Sequence, residues 1–135
     1  MDLSEIRAKY PGLKTFVFGD SKDLCDKLTA LVIRGKKTAT CEALSTYASE
    51  EEAMPVLGRV DVALTWERNP AVAIRTTEIE IRMFNEVEEG FALDEGENTN
   101  LEGWRKDHQK YFERNGHFFL EMKVVCERFE VVEVY

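Results

Sequence analysis

The segment Gly35-Lys36-Lys37-Thr38-Ala39-Thr40 is the part of this 135-residue chain best suited to chemistry. It joins an expected helix end to an expected strand start, where loop residues can be held rigidly in a cleft. A lysine beside a hydroxyl can act as its base when burial lowers the pKa of the amine, as in Ser–Lys hydrolases. Lys37 and Thr40 have opposite parity in a regular strand, so they meet only if the chain still turns at Lys37. A strand starting at Thr38 or later satisfies that condition. The plain alternative is that both lysines simply favour the negative end of a helix dipole. Lys36 and Thr38 flank Lys37 and are candidates for touching a substrate, although Lys36 should point largely to solvent if Lys37 faces the cleft. A loop-to-strand lysine contributes little core area, so Lys37→Ala is expected to remove activity and leave the fold intact.

A second group, Asp94-Glu95-Gly96-Glu97, ends a short acidic helix expected over 87–95. Such a run is ordinarily a solvated face. The functional alternative turns one carboxylate inward, to move protons or to pair with Lys37. An ionised Glu beside Lys37 would raise the amine's pKa and oppose a role as base. The acids Glu86, Glu88, Glu89, Asp94, Glu95 and Glu97 are too many to bury together, so only one of them is expected in the cleft. Further along, Trp104, Arg105 and His108 fall within about one helical turn. Core packing is their ordinary reading. In the other, Trp104 or Tyr111 stacks on a nucleobase while Arg105 or His108 touches its polar edge or a phosphate. Two histidines and three scattered cysteines, Cys25, Cys41 and Cys126, form no metal-ligand pattern, so neither a metal nor another cofactor is expected. The cysteines read as reduced, buried thiols, and Cys41 has no neighbouring histidine in the sequence to activate it. No glycine motif that would cradle phosphates is present.

These groups need a scaffold to place them. Ser21 can cap a helix over 21–34, in which Leu24, Leu28, Leu31 and Val32 share a face, with Gly35 as the left-handed residue at its end. Residues 38–41 should enter a strand. Val60 to Trp66 alternate as a half-buried strand, and 71–83 return as a long one after a turn at Arg68-Asn69-Pro70. The change of parity between Ile74 and Ile79 predicts a bulge near Thr76-Thr77. Asn100 can cap a helix whose face carries Leu101, Trp104, His108, Tyr111 and Phe112, with Gly116 ending it. Residues 118–126 and 129–135 read as two closing strands. Without βαβ alternation the fold class is α+β, a small barrel-like sheet with helices at its edges, in a single domain over 1–135.

Composition narrows the function. With 44% hydrophobic residues the chain can build a core, and no apolar run is long enough to span a membrane. The N-terminus lacks a signal-peptide layout, so a cytoplasmic protein is expected. A net charge of −8 argues against a broad nucleic-acid track. The charge is uneven, however: 21–40 are basic, whereas 78–102 carry nine acids against Arg82 alone. That pattern suits a polar cleft.

Phe18-Gly19-Asp20-Ser21, Leu31-Val32 and the G-K-K-T-A-T string, then F-A-L-D-E-G-E over 91–97 and W-R-K-D-H over 104–108, come in an order that resembles the ASCH domain family. The likeness runs from about Phe16 to the C-terminus. It implies a PUA-like fold, a β-barrel with peripheral helices and a cleft associated with RNA or modified nucleosides. Some members are metal-free amidohydrolases that deacetylate N4-acetylcytidine with a lysine, a threonine and a glutamate. Those positions fall here on Lys37, Thr40 and Glu95, implying base, nucleophile and proton donor respectively. The small amidohydrolases lack the W-R-x-x-H helix in this form, which places the chain in a longer branch. The expected partner is a small nucleoside-like substrate. The alternatives are a module that binds single-stranded RNA or a modified base, and a ribonuclease in which Lys37 and Arg105 stabilise phosphate while His108 or Glu95 moves protons. The oligomeric state is not readable from the residues.

Overall fold

The computed structural model describes residues 1–48 and 53–135. Helix α1 (Leu3–Lys9) starts where Asp2 accepts a hydrogen bond from the Glu5 amide, and it buries Ile6. After strand β1 (Thr15–Phe16) comes helix α2 (Lys22–Ile33), capped by Ser21, whose hydroxyl accepts from the Leu24 amide as the sequence predicts. Gly35 turns the chain at φ 77° into strand β2 (Ala39–Ala43), which runs on into helix α3 (Leu44–Ala48). Strands β3 (Val60–Leu64) and β4 (Pro70–Met83) follow, then a single 3-10 turn (Phe84–Glu86) and helix α4 (Glu89–Asp94). Asn100 caps helix α5 (Leu101–Arg114), and strand β5 (Lys123–Val134) closes the chain.

The five strands lie in the order β1-β3-β4-β5-β2, with β1 parallel to β3 and the other neighbours antiparallel. The sheet is therefore open, with β1 and β2 at its two edges, rather than the closed barrel the sequence suggests. The bulge expected near Thr76 is present, as a register shift between Thr76 and Glu78. The two closing strands are in fact one. Glu127 and Arg128 break the apolar pattern, but they stay paired with Ile79 and Glu78 of β4, and the bulge absorbs the change of parity.

All five residues of β3 are buried, where one wet face was expected. The reason is a helix on each side. Ile6 of α1 and Leu13 pack on Val60, Val62 and Leu64, while Leu28 and Val32 of α2 pack with Phe18 on Ala63, Ile74 and Phe129. A third cluster joins Trp104 and Phe112 of α5 to Phe84, Val87 and Ala92, over Cys41, Ala43, Val124 and Cys126. Helix α4 starts two residues later than expected because the 3-10 turn takes Phe84–Glu86, and Gly96 ends it at φ 79°.

Candidate functional site

Between α2 and α5 a cavity of about 330 Å³ opens onto the sheet. Its wall includes Lys37, which leaves the α2 terminus with its amide bonded to the Leu31 carbonyl at 3.1 Å. The Lys37 side chain is 1% exposed, and its Nζ lies 3.1 Å from Glu95 Oε1 and 3.4 Å from Glu97 Oε2. Two backbone features bring these segments together. The Thr38 amide donates to the Asp94 carbonyl at 2.8 Å. Gly96 lies against the Lys36-Lys37 peptide so closely that a Cβ there would sit 2.4 Å from the Lys36 carbonyl oxygen. Gly96→Ala thus combines a backbone clash with a left-handed φ that costs about 1–2 kcal/mol by itself. We expect it to lower the melting temperature and separate Lys37 from Glu95. A Gly96→Ala protein as stable as wild type would contradict this packing.

Helix α5 supplies the rest of the cluster. Trp104 Nε1 donates to Glu95 Oε2 at 2.5 Å, and His108 Nε2 lies 3.3 Å from the same oxygen. His108 Nδ1 is 2.9 Å from the Trp104 carbonyl, which can only accept, so Nδ1 carries a proton. A neutral ring would then aim the Nε2 lone pair at a carboxylate, and the imidazolium is favoured instead. The Trp104 and His108 rings stack at 4.2 Å, which holds the imidazole in place.

Burial pushes the Glu95 carboxyl up, but the charges of Lys37 and His108 and the hydrogen bonds from His108 and Trp104 outweigh it, holding the group down at about 2. Burial pushes the Lys37 amine down, yet Glu95 and Glu97 overcome it and the pKa is raised. Burial likewise lowers His108, and Glu95 raises it by more. Lys37 is therefore an ammonium and Glu95 a carboxylate. The expected roles of Lys37 as base and Glu95 as proton donor do not fit these protonation states.

The linkage has a definite sign. A carboxyl lowered from 4.5 to about 2 contributes about 3 kcal/mol, present above its unfolded value and lost as the pH falls through about 2. The raised groups act oppositely. The His108 contribution is present below its unfolded value and fades as the pH rises through the higher folded one. Urea-unfolding free energies should accordingly drop between about pH 4.5 and 2. Glu95→Gln should remove most of that acid limb, and an unchanged limb would refute the ionised assignment.

Thr40, half-buried on β2, lines the cavity with Lys37, Glu95 and His108. The strand begins at Ala39, so the chain still turns at Lys37, as their meeting required. The other expected site residues lie elsewhere. Lys36 is exposed, and Thr38 is exposed with its hydroxyl donating to the Asp94 carbonyl at 3.4 Å. Trp104 is fully buried beneath Glu95, which leaves no face for a stacked base. Arg105 donates to the Asn85 carbonyl at 3.2 Å, away from the cavity wall. The aromatic lining comes instead from Phe16, Phe18, Tyr47 and Tyr111.

The sequence reading also missed Asp61 and Glu127, which enter the cavity from β3 and β5. For Asp61 the available signal was a lone acid inside an apolar strand, Val60-Asp61-Val62, whereas Glu127 is one of three acids in β5 and carried no such signal. Cys41 Sγ, a Glu95 oxygen and a His108 nitrogen lie within 4.8 Å of one another, a grouping that sequence spacing does not reveal. Both Glu95 oxygens are already engaged, and the Lys37 ammonium supplies the neutralising charge a metal would bring. Burial also raises the Cys41 thiol well above its ordinary value, so the thiolate a metal prefers is disfavoured.

A family model described as ASCH domain matches residues 14–133. Among solved structures, protein EF3133 from Enterococcus faecalis is 35% identical over 98% of this chain and 86% of its own, with a TM-score of 0.86. An ASCH domain from Lactobacillus crispatus is 30% identical over 94% of this chain and 84% of its own, with a TM-score of 0.81. The ASCH protein from Zymomonas mobilis shares the fold at a TM-score of 0.57, with 9% identity, over 90% of this chain and 70% of its own. The sequence has no significant match among curated proteins.

Proposed function

This chain belongs to the ASCH domain family, and from that premise we propose that its cavity hydrolyses the amide of an acylated nucleoside of the N4-acetylcytidine type. The observation that carries the reading is the buried Lys37–Glu95 ion pair opening onto a cavity that Thr40 also lines. Thr40 is the nucleophile. Lys37, a fixed positive charge in a poorly solvated wall, stabilises the oxyanion that forms on the acyl oxygen when the carbon is attacked. Glu95 keeps Lys37 charged and, with Glu97, holds it in place. The aromatic lining supports a base stacked within the cavity. The cavity suits a group the size of one nucleoside, and a protein of net charge −8 does not repel a neutral one. No helix among the described residues is long and apolar enough to cross a membrane.

A second reading, single-stranded RNA binding in the same cavity, is favoured by the exposed lysines Lys14, Lys27 and Lys110 in its lining, which form no ion pair among the described residues. One experiment separates them. The protein is incubated with N4-acetylcytidine, related acyl nucleosides and a short RNA, products are followed by chromatography, and binding is measured against salt. Release of the free nucleoside, lost in Thr40→Ala, supports hydrolysis. No turnover, together with RNA binding that weakens steeply in salt, refutes it and favours the RNA reading.

A further inference from the structure

Resting on the amide-hydrolysis reading, we propose that Glu127 is the proton carrier of the reaction, taking the Thr40 hydroxyl proton and delivering it to the departing nitrogen. The antiparallel register sets Thr40 directly opposite Glu127 across β2 and β5. Directly opposed side chains rise from the same face of a sheet with their Cβ atoms roughly 5 Å apart. Both residues line the cavity. The Thr76 hydroxyl donates to Glu127 Oε2 at 2.6 Å, which fixes the carboxyl group. Glu127 Oε1 has no hydrogen-bond or ion-pair partner among the described residues.

The other acids of the wall are held by other groups or lie at the exposed rim, as Asp107 does, where it accepts from the Asn98 side chain at 2.9 Å. Glu95 is held by Lys37, Trp104 and His108, and Glu97 faces Lys37. Asp61 accepts the Lys14 amide at 2.8 Å and is clamped through both oxygens by Arg59 at 2.8 and 3.0 Å. Glu42 accepts the Ala43 amide on one oxygen and the Tyr111 hydroxyl on the other. Glu127 differs from them in its electrostatics as well. The groups acting on it are Asp61 from β3, Arg59 from the turn just before β3, Thr76 from β4, and Lys37 from the turn before β2. Burial raises its pKa and the Asp61 charge adds to this, while the Thr76 hydrogen bond and the charges of Arg59 and Lys37 lower it, and the rise wins. A carboxyl moved up toward the working pH can both accept and return a proton.

The steps balance. Thr40 Oγ1 attacks the acyl carbon as its proton passes to Glu127 Oε1, and the oxyanion forms beside the Lys37 ammonium. The C–N bond then breaks while Glu127 returns the proton to nitrogen, so the amine leaves neutral. Water attacks the acyl-threonine ester and gives a proton to Glu127. That proton returns to Thr40 as the ester bond breaks and the carboxylic acid is released.

The test compares wild type, Glu127→Gln and Thr76→Val on N4-acetylcytidine across pH, with cytidine binding and melting temperature as controls. Glu127→Gln should lose roughly 10²–10⁴-fold in kcat and the acidic limb of the rate profile, with cytidine affinity kept. Thr76→Val removes a hydrogen bond that favours the ionised form, so its acidic limb should move to higher pH, a shift that a merely structural residue would not produce. Wild-type turnover by a folded Glu127→Gln protein, or an unmoved limb in Thr76→Val, overturns the assignment and leaves the hydrolase reading standing. Absence of turnover by wild type on every acyl nucleoside sinks that reading and Glu127 with it.

Discussion

Replacing Lys37 with Ala is expected to cost about 3–5 kcal/mol of folding stability, because it strips the buried Glu95 carboxylate of one of its two cationic partners and leaves His108 to carry the pair alone. The expectation from sequence, an intact fold, treated Lys37 as a loop residue, yet it is among the largest fully buried side chains of the protein. Adding Glu95→Gln to Lys37→Ala should recover part of the loss, since a neutral amide needs no counter-charge in the same pocket. Urea denaturation of wild type, both single variants and the double variant measures this coupling directly. Lys36→Ala is the internal control. Its ammonium is solvated, and the change should cost under about 1 kcal/mol through the helix dipole. Equal losses at Lys36 and Lys37, or strict additivity of Lys37→Ala and Glu95→Gln, would mean that the buried pair does not hold the fold together.

Glu95→Gln should lower amide turnover by roughly 10²–10³-fold, whereas Glu88→Gln should leave it unchanged. The two glutamates lie on either side of α4 and differ only in where the chain puts them. The Glu88 side chain is 77% exposed and 3.9 Å from Arg82, while that of Glu95 is 2% exposed and touches Lys37, Trp104 and His108. Without the Glu95 charge, burial pulls the Lys37 amine toward its neutral form, and the charge facing the oxyanion is weakened. Its stability cost should be smaller than that of Lys37→Ala, as Gln keeps an acceptor for Trp104, which melting curves alongside the rates will show. Similar rate losses at both positions would separate Glu95 from the chemistry.

Local rules account for much of the scaffold. Ser21, Asn100, Gly35, Gly96 and Gly116 are caps and stops that act within a few residues of themselves, so α2 and α5 fall almost where the periodicity puts them. The Thr76 bulge was legible for the same reason, as a break in alternation. Features set by distant packing were not. Helix α1 shows little periodicity, and its burial of Ile6 against β3 depends on residues more than fifty positions away. Closure of a sheet is equally invisible locally, because it depends on whether two edge strands meet, and here β1 and β2 do not.

The site divides in the same way. The resemblance to the ASCH family pointed to Lys37, Thr40 and Glu95, and a simple count of acids called for one inward carboxylate without naming it. Their protonation states needed three dimensions. Trp104 and His108 read as core residues from their spacing, and the core does hold them, yet both face the Glu95 oxygen that sets the charge of Lys37. Glu127 looked like an interruption between two strands until β5 proved continuous and set it opposite Thr40. The chain alone determined which groups are available for chemistry. Tertiary structure decided which of them are charged and which face one another, because desolvation and Coulomb energy depend on distances that no local pattern encodes.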